Sequence, residues 1–163
     1  MSVEAGSALI LHEAHCLDRH LWDEWLALYA EDAVFWMPAW KNEAEPTDDP
    51  DSELSLIYHQ GRARLAERVW RVRSGKSPAS VPLVRTMHAI TNIQLAAPPE
   101  PDLLRLRSNW TAHHYDPKRK AQHLLFGFYE HDLRSTGAGW SIARKKIVLL
   151  NDRIPSVTDF YSV

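Results

Sequence analysis

One cysteine, Cys16, stands in 163 residues, and that scarcity removes whole classes of chemistry. It excludes an internal disulfide, suits a reducing compartment, and rules out a Rieske iron–sulfur centre, which needs two cysteines and two histidines. Charge of one sign is missing too. Lys and Arg number 19 against 21 Asp and Glu, whereas nucleic-acid binders concentrate positive charge on a face and usually overall, so no nucleic-acid partner is expected. No apolar run approaches the roughly 20 residues that span a bilayer. The opening MSVEAGSALILHEAH lacks the basic and long apolar regions of a signal peptide, so a cytoplasmic protein without a membrane partner is expected. There is no G-x-G-x-x-G, no phosphate-binding loop and no G-x-S-x-G.

What is present is aromatic. Four of the seven Trp fall within Leu21–Trp40. Trp22, Trp25, Leu26 and Tyr29 recur at i, i+3, i+4 and i+7, which places four large apolar groups on one helix face. After Glu31 and Asp32 the period becomes two, with Val34 and Trp36 on one side and Phe35 and Met37 on the other, until Pro38 ends regular pairing. Upstream, residues 7–17 read as a first helix, with Asp18 available to cap the second. Residues 41–53 are polar and acidic with two prolines, a long loop of the kind that is usually functional or interfacial. Leu54–His59 follows as a short strand. Gly61–Gly75 reads as a third helix with Leu65, Val69 and Val72 inward and Gly75 placed for a left-handed C-terminal cap.

From Val84 the period stays at two. Thr86–Leu95 alternates and ends at AAPPEPD. Leu104, Leu106, Trp110 and Ala112 share one face of the next strand, with Arg105, Arg107 and Asn109 on the other. After the turn Asp116–Lys120, the stretch Gln122–Leu133 sets Leu124, Phe126 and Phe128 opposite His123, Leu125 and Tyr129, and a Gly137–Ala138–Gly139 turn leads into Trp140–Leu150. Helices followed by long antiparallel strands give an α+β class, with N-terminal helices packed on a strongly curved, mainly antiparallel sheet in a single domain over residues 1–163.

Three groups of residues invite a functional reading. His113-His114-Tyr115-Asp116, with His123 across the turn, has the types for two histidines and a carboxylate around iron, but Asp116 before Pro117 is ordinarily a turn residue. No metal ligand and no cofactor are therefore expected in this chain. Asp32, His88 and His114, around a cavity lined by Trp36 and Trp110, would give a carboxylate and imidazoles for proton transfer; the alternative is a helix-end Asp and half-buried strand histidines. The acidic loop with Glu43, Glu45, Asp48 and Asp49, next to Trp40, and the helix with Arg62, Arg64, Arg68, Arg71 and Arg73 are either solvated faces or interface surfaces.

The order of elements resembles the NTF2-like cone. More closely, FWMPAW at 35–40, ELSLIYH at 53–59, RVWRVRSG at 68–75, RTMHAITNI at 85–93 and LLNDRIPSVTDFYSV at 149–163 together resemble the small (beta) subunit of aromatic-ring-hydroxylating dioxygenases of the benzoate and anthranilate branch. The resemblance implies a heteromer of three large (alpha) and three small subunits. Such an enzyme adds both atoms of dioxygen to an aromatic ring with electrons from NADH, delivered by a reductase. The Rieske 2Fe-2S cluster and mononuclear iron would sit in the large subunit, and the small subunit would be a non-catalytic, self-trimerising structural partner. The competing reading is a free-standing NTF2-like dehydratase or isomerase using the Asp/His pocket.

Overall fold

The computed structural model describes residues 2–76, 81–137, 139–155 and 158–163; Ala138 of the expected glycine turn lies outside them. Helix α1 (Val3–Asp18) starts from Ser2, whose side chain accepts from the Ala5 N–H. After α2 (Trp22–Ala27) come β1 (Tyr29–Pro38), β2 (Ser55–Gln60) and α3 (Arg62–Arg73). Four long strands complete the order: β3 (Arg85–Leu95), β4 (Leu103–Asp116), β5 (Ala121–Ser135) and β6 (Trp140–Leu149), with a closing 3-10 turn at Phe160–Ser162. The strands make one six-stranded curved sheet in the order β2-β1-β6-β5-β4-β3. Every pairing is antiparallel except β1 with β6. Register breaks in β1, β3 and β5 supply the local bends that curl such a sheet. No helix among the described residues is long and apolar enough to cross a membrane.

Two local expectations are corrected. The second helix stops at Ala27 instead of running through Tyr29, because the Leu28 carbonyl accepts the Ile142 N–H at 2.8 Å and Tyr29 pairs with Ile142 of β6. Sheet pairing wins over the helical spacing of Trp22, Trp25, Leu26 and Tyr29, as tertiary context overrides local preference. Asp18 does not cap α2. Leu21 holds that position without a side-chain bond, while Asp18 closes α1 and reaches β3. Gly75 does adopt the left-handed conformation, at φ +65°, just past α3.

On β4, Leu104, Leu106, Trp110 and Ala112 are buried as the alternation requires. On β5 the alternation holds, and it is Leu125, Tyr129 and Leu133 that face the core, leaving Leu124, Phe126 and Phe128 outside. In β3 Asn92, at φ +54°, sits in the register break between Thr91 and Gln94 and turns Ile93 back toward the core. The concave side is filled by Trp25, Tyr29, Phe35, Trp110 and Tyr129, and by Phe160 and Val163 of the last segment. Phe160 stacks on Trp25 at 4.7 Å and meets Trp22 edge-on at 5.4 Å.

Gly127 on β5 lies directly against the β6 backbone: a Cβ there would lie 1.9 Å from the Val148 carbonyl oxygen. Backbone cannot give way as a side chain can, so Gly127→Ala should cost about 3 kcal/mol or more. A drop in the urea midpoint measures this, and an unchanged midpoint would show that the strands separate freely.

Candidate functional site

The residues expected to share a pocket do not converge. Asp32 lies on the exposed side of β1 and pairs with Arg134, whose Nη1 stands 2.8 and 3.0 Å from its two oxygens. Trp36 donates its Nε1–H to Ser55 Oγ at 2.9 Å, tying β1 to β2. Trp110 is buried in the core, stacked on Tyr129 at 5.0 Å with the rings nearly parallel.

His88 and His114 do share the inner face of β3 and β4, and the carboxylate bonded to His88 is Asp18. The Nδ1–H of His88 donates to Asp18 Oδ1 at 2.6 Å, its backbone N–H to Oδ2 at 2.9 Å, and the Thr86 hydroxyl to Oδ1 at 3.0 Å. An ionised carboxylate only accepts, which places the proton on Nδ1. Burial would raise the Asp18 carboxyl, but the hydrogen bonds and charge of His88 hold it below its ordinary value. This arrangement fastens the end of α1 to β3. His114 donates its Nε2–H to the Ser162 carbonyl at 3.1 Å and stacks on His123 at 4.6 Å. Burial, then the neighbouring His123 and His88, push its pKa down to about 4.

Deeper in the cone lies a cluster that the sequence reading did not assign. Glu13 of α1 and Lys145 of β6 are both buried, with Nζ 3.0 Å from each carboxylate oxygen. Trp25 Nε1–H and Tyr29 O–H also donate to Glu13, at 2.9 and 2.8 Å. Lys145 bonds the Val163 carbonyl at 3.3 Å and stands 4.4 Å from the Tyr129 ring centre. Burial alone would raise the Glu13 carboxyl; the Lys145 charge and the surrounding donors reverse that. Beside the pair, His131 is fully buried, and neither ring nitrogen has a hydrogen-bond partner among the described residues. Burial and the Lys145 charge lower its pKa to about 3. A signal existed for both carboxylates. Asp18 sits in the last turn of a helix, where the dipole disfavours an anion, and Glu13 falls at helical spacing on the apolar face of Ile10, Ala14 and Leu17.

The iron ligand set fails on geometry. Asp116 accepts from the backbone N–H groups of Lys118 and Arg119 and from the Arg119 guanidinium, and the His114 Nε2–H is directed at a carbonyl. The residues present therefore do not fit a mononuclear iron, and one cysteine does not fit a Rieske cluster.

The proposed interface residues are mostly engaged within the chain. Trp40 donates to the Leu149 carbonyl at 2.7 Å. In the acidic loop, Asp48 pairs with Lys41 and Asp49 accepts from the Ser52 hydroxyl, while Glu43 and Glu45 are exposed. On α3, Arg62 pairs with Glu31, Arg64 with Glu67, Arg68 with Asp159 and Arg73 with Asp23; Arg71 has no ion pair among the described residues. What sequence reading left unassigned is the outer face of β3–β5. There Leu124, Phe126 and Phe128 keep 39–47% of their surface exposed, beside Met87 and Tyr115. Met87 pairs with His113 and His113 with Leu124, while Thr111 lies opposite Phe126 and Asn109 opposite Phe128, so these side chains share one face.

Residues 12–156 match the ring hydroxylating beta subunit family. The chain belongs to that family. It is 39% identical to the toluate 1,2-dioxygenase subunit beta of Pseudomonas putida over 163 residues, covering all of this chain and 99% of that one. Among solved structures it is similar to the beta subunit of the benzoate 1,2-dioxygenase from Burkholderia mallei, at 32% identity and a TM-score of 0.82, over 100% of this chain and 98% of the other. An NTF2-like protein with a cystatin-like fold from Novosphingobium aromaticivorans, 16% identical, superposes with a TM-score of 0.63 over 94% of this chain and 84% of its own. That likeness shows the fold, an NTF2-like cone, and nothing about activity.

The depressed histidines of this beta-subunit family member carry a pH signature. His114 and His131 stay neutral when folded but take up protons near pH 6.5 when unfolded, so stability is full above that value and is lost as pH falls toward 4 and 3. Between pH 8 and pH 5 each should cost about 2 kcal/mol. Urea midpoints across that range should fall steeply, and His114→Gln should flatten the decline; a flat profile in the parent chain would contradict the buried neutral rings.

Proposed function

We propose that this chain is the non-catalytic beta subunit of a multicomponent ring-hydroxylating dioxygenase acting on a benzoate-like aromatic acid in the catabolism of aromatic compounds. The observation that carries this is similarity along the whole chain to beta subunits of benzoate and toluate dioxygenases. The site geometry supports it. Asp32, His88 and His114 do not form an acid–base pocket, and Trp25, Tyr29, Phe35, Trp110, Tyr129 and Phe160 are core side chains. In this reading the Rieske cluster and mononuclear iron belong to an alpha subunit, electrons come from NADH through a reductase, and the assembly of three alpha and three beta subunits is cytoplasmic.

The outer face of β3–β5 is the surface we assign to self-association. Contiguous apolar area beyond a few hundred Å² is usually covered by a partner, and in a three-fold ring the contacts are heterologous and close only at the right rotation. The acidic loop at 41–53 and α3, with Arg71 and the exposed Trp70, are the surfaces we assign to the alpha subunit.

Sedimentation of the isolated chain at micromolar concentration should give a mass near three times 18.7 kDa. Phe126→Asp should lower that mass while leaving the thermal midpoint of the monomeric fold nearly unchanged, since exposed substitutions usually stay within about 0.5 kcal/mol. A monomeric parent chain would remove the trimer from the reading. In the reconstituted oxygenase, Asp32→Asn should keep activity within about threefold. A loss of roughly 10² with the assembly intact would instead put that carboxylate in the chemistry.

A further inference from the structure

Among the described residues, a cluster of metal-ligating side chains lies outside everything described above. His12 and Cys16, four residues apart on α1, project from the same helix face, and Glu24 reaches them from α2. The His12 Nε2, the Cys16 Sγ and a Glu24 carboxylate oxygen all lie within 4.8 Å of one another. Cys16 Sγ and His12 Nε2 are 3.7 Å apart. Around a tetrahedral zinc, with Zn–S near 2.3 Å and Zn–N near 2.0–2.1 Å, sulfur and nitrogen ligands are separated by about 3.6 Å. The helix thus already holds two ligands at the required spacing, and Glu24, which is exposed, needs to close a gap of at most about 1.5 Å. Among the described residues Glu24 has neither a hydrogen bond nor an ion pair to hold it elsewhere.

We propose that His12, Cys16 and Glu24 form a binding site for a zinc-like divalent cation that clips α1 to α2. The donor set selects the metal. Thiolate and imidazole are poor ligands for calcium or magnesium, while sulfur, nitrogen and a single carboxylate suit borderline-soft zinc. Binding replaces the thiol proton: the S–H bond breaks, the proton passes to solvent, and the sulfur lone pair forms the metal bond. Cys16 is buried, whereas His12 and Glu24 are exposed. The ion would therefore sit at the surface with three protein ligands beneath it, its fourth position open to water or to a donor from a neighbouring subunit. The clip lies between the two helices whose inner residues, Glu13 and Trp25, meet in the cone, so it would stiffen that junction from outside.

The test uses the untagged full chain titrated with zinc and, separately, with cobalt(II). The expected result is one equivalent of zinc bound and a raised thermal midpoint. Cobalt should give a near-ultraviolet thiolate-to-metal charge-transfer band together with the intense visible bands of a tetrahedral ion. His12→Ala and Glu24→Gln, both at exposed positions, should weaken zinc by about tenfold or more and abolish the thermal shift. Cys16→Ser should remove the charge-transfer band, and His123→Ala should change nothing. Zinc that binds equally well to His12→Ala, or cobalt that binds without a thiolate band, would overturn the site, as would no binding at tens of micromolar metal.

Discussion

A carboxylate and an ammonium removed from water together are tolerated only where each finds nearly all of its partners, because the desolvation of either ion costs several kcal/mol. Glu13 and Lys145 meet that condition, and the rest of the cone is arranged to satisfy it. Trp25 and Tyr29 complete the carboxylate; the Val163 carbonyl and the Tyr129 and Phe35 rings surround the ammonium. One pair of charges therefore fixes the positions of α1, α2, β1, β6 and the last segment. Loss of either partner would leave an uncompensated buried ion, at about 3–5 kcal/mol. The pair is better understood as setting which arrangement of helices and strands is adopted than as a net source of stability.

The same constraint decides where function can lie. Among the described residues the cone interior holds an ion pair, several large aromatic rings and the residues around Phe160, each with a structural role. The Asp18–His88 bond has the composition of an acid–base dyad, but three donors converge on that carboxylate from β3 and hold it as a fastening between helix and strand. The convex side carries the unpartnered apolar area instead. An exposed apolar face of this kind, on a member of a dioxygenase subunit family, is the surface that covering by another subunit would stabilise most.

Periodicity made much of this legible. Period two over β4 assigned its buried and wet faces residue by residue, and the left-handed Gly75 followed from its place after a helical run. Alternation alone could not say which side of β5 faces the core, because Leu124, Phe126 and Phe128 are as apolar as the set opposite them. The end of α2 was hidden for another reason: Tyr29 suits a helix face and a strand equally, and the deciding contact comes from Ile142, more than a hundred residues away. The Glu13–Lys145 and Asp18–His88 pairs are likewise long-range. Each residue looks like a local feature, a helix charge or a cap, until the sheet brings its partner.

Charge shows the converse error. Five arginines in one helix read as an electrostatic surface, yet four of them are matched by acids of this chain: Glu67 on the same helix, and Glu31, Asp159 and Asp23 outside it. These pairs are not equal. Arg68 grips a largely buried Asp159 with two nitrogens and so anchors the segment that closes the cone, whereas the exposed Arg64–Glu67 pair contributes little. Because most of the helix charge is neutralised internally, its field at a partner's surface is weaker than a count of arginines implies. What α3 still presents is Arg71, without an ion pair among the described residues, beside the exposed Trp70, with Lys76 over the indole at 4.9 Å. Recognition through such a surface depends on fit around an aromatic anchor more than on long-range attraction.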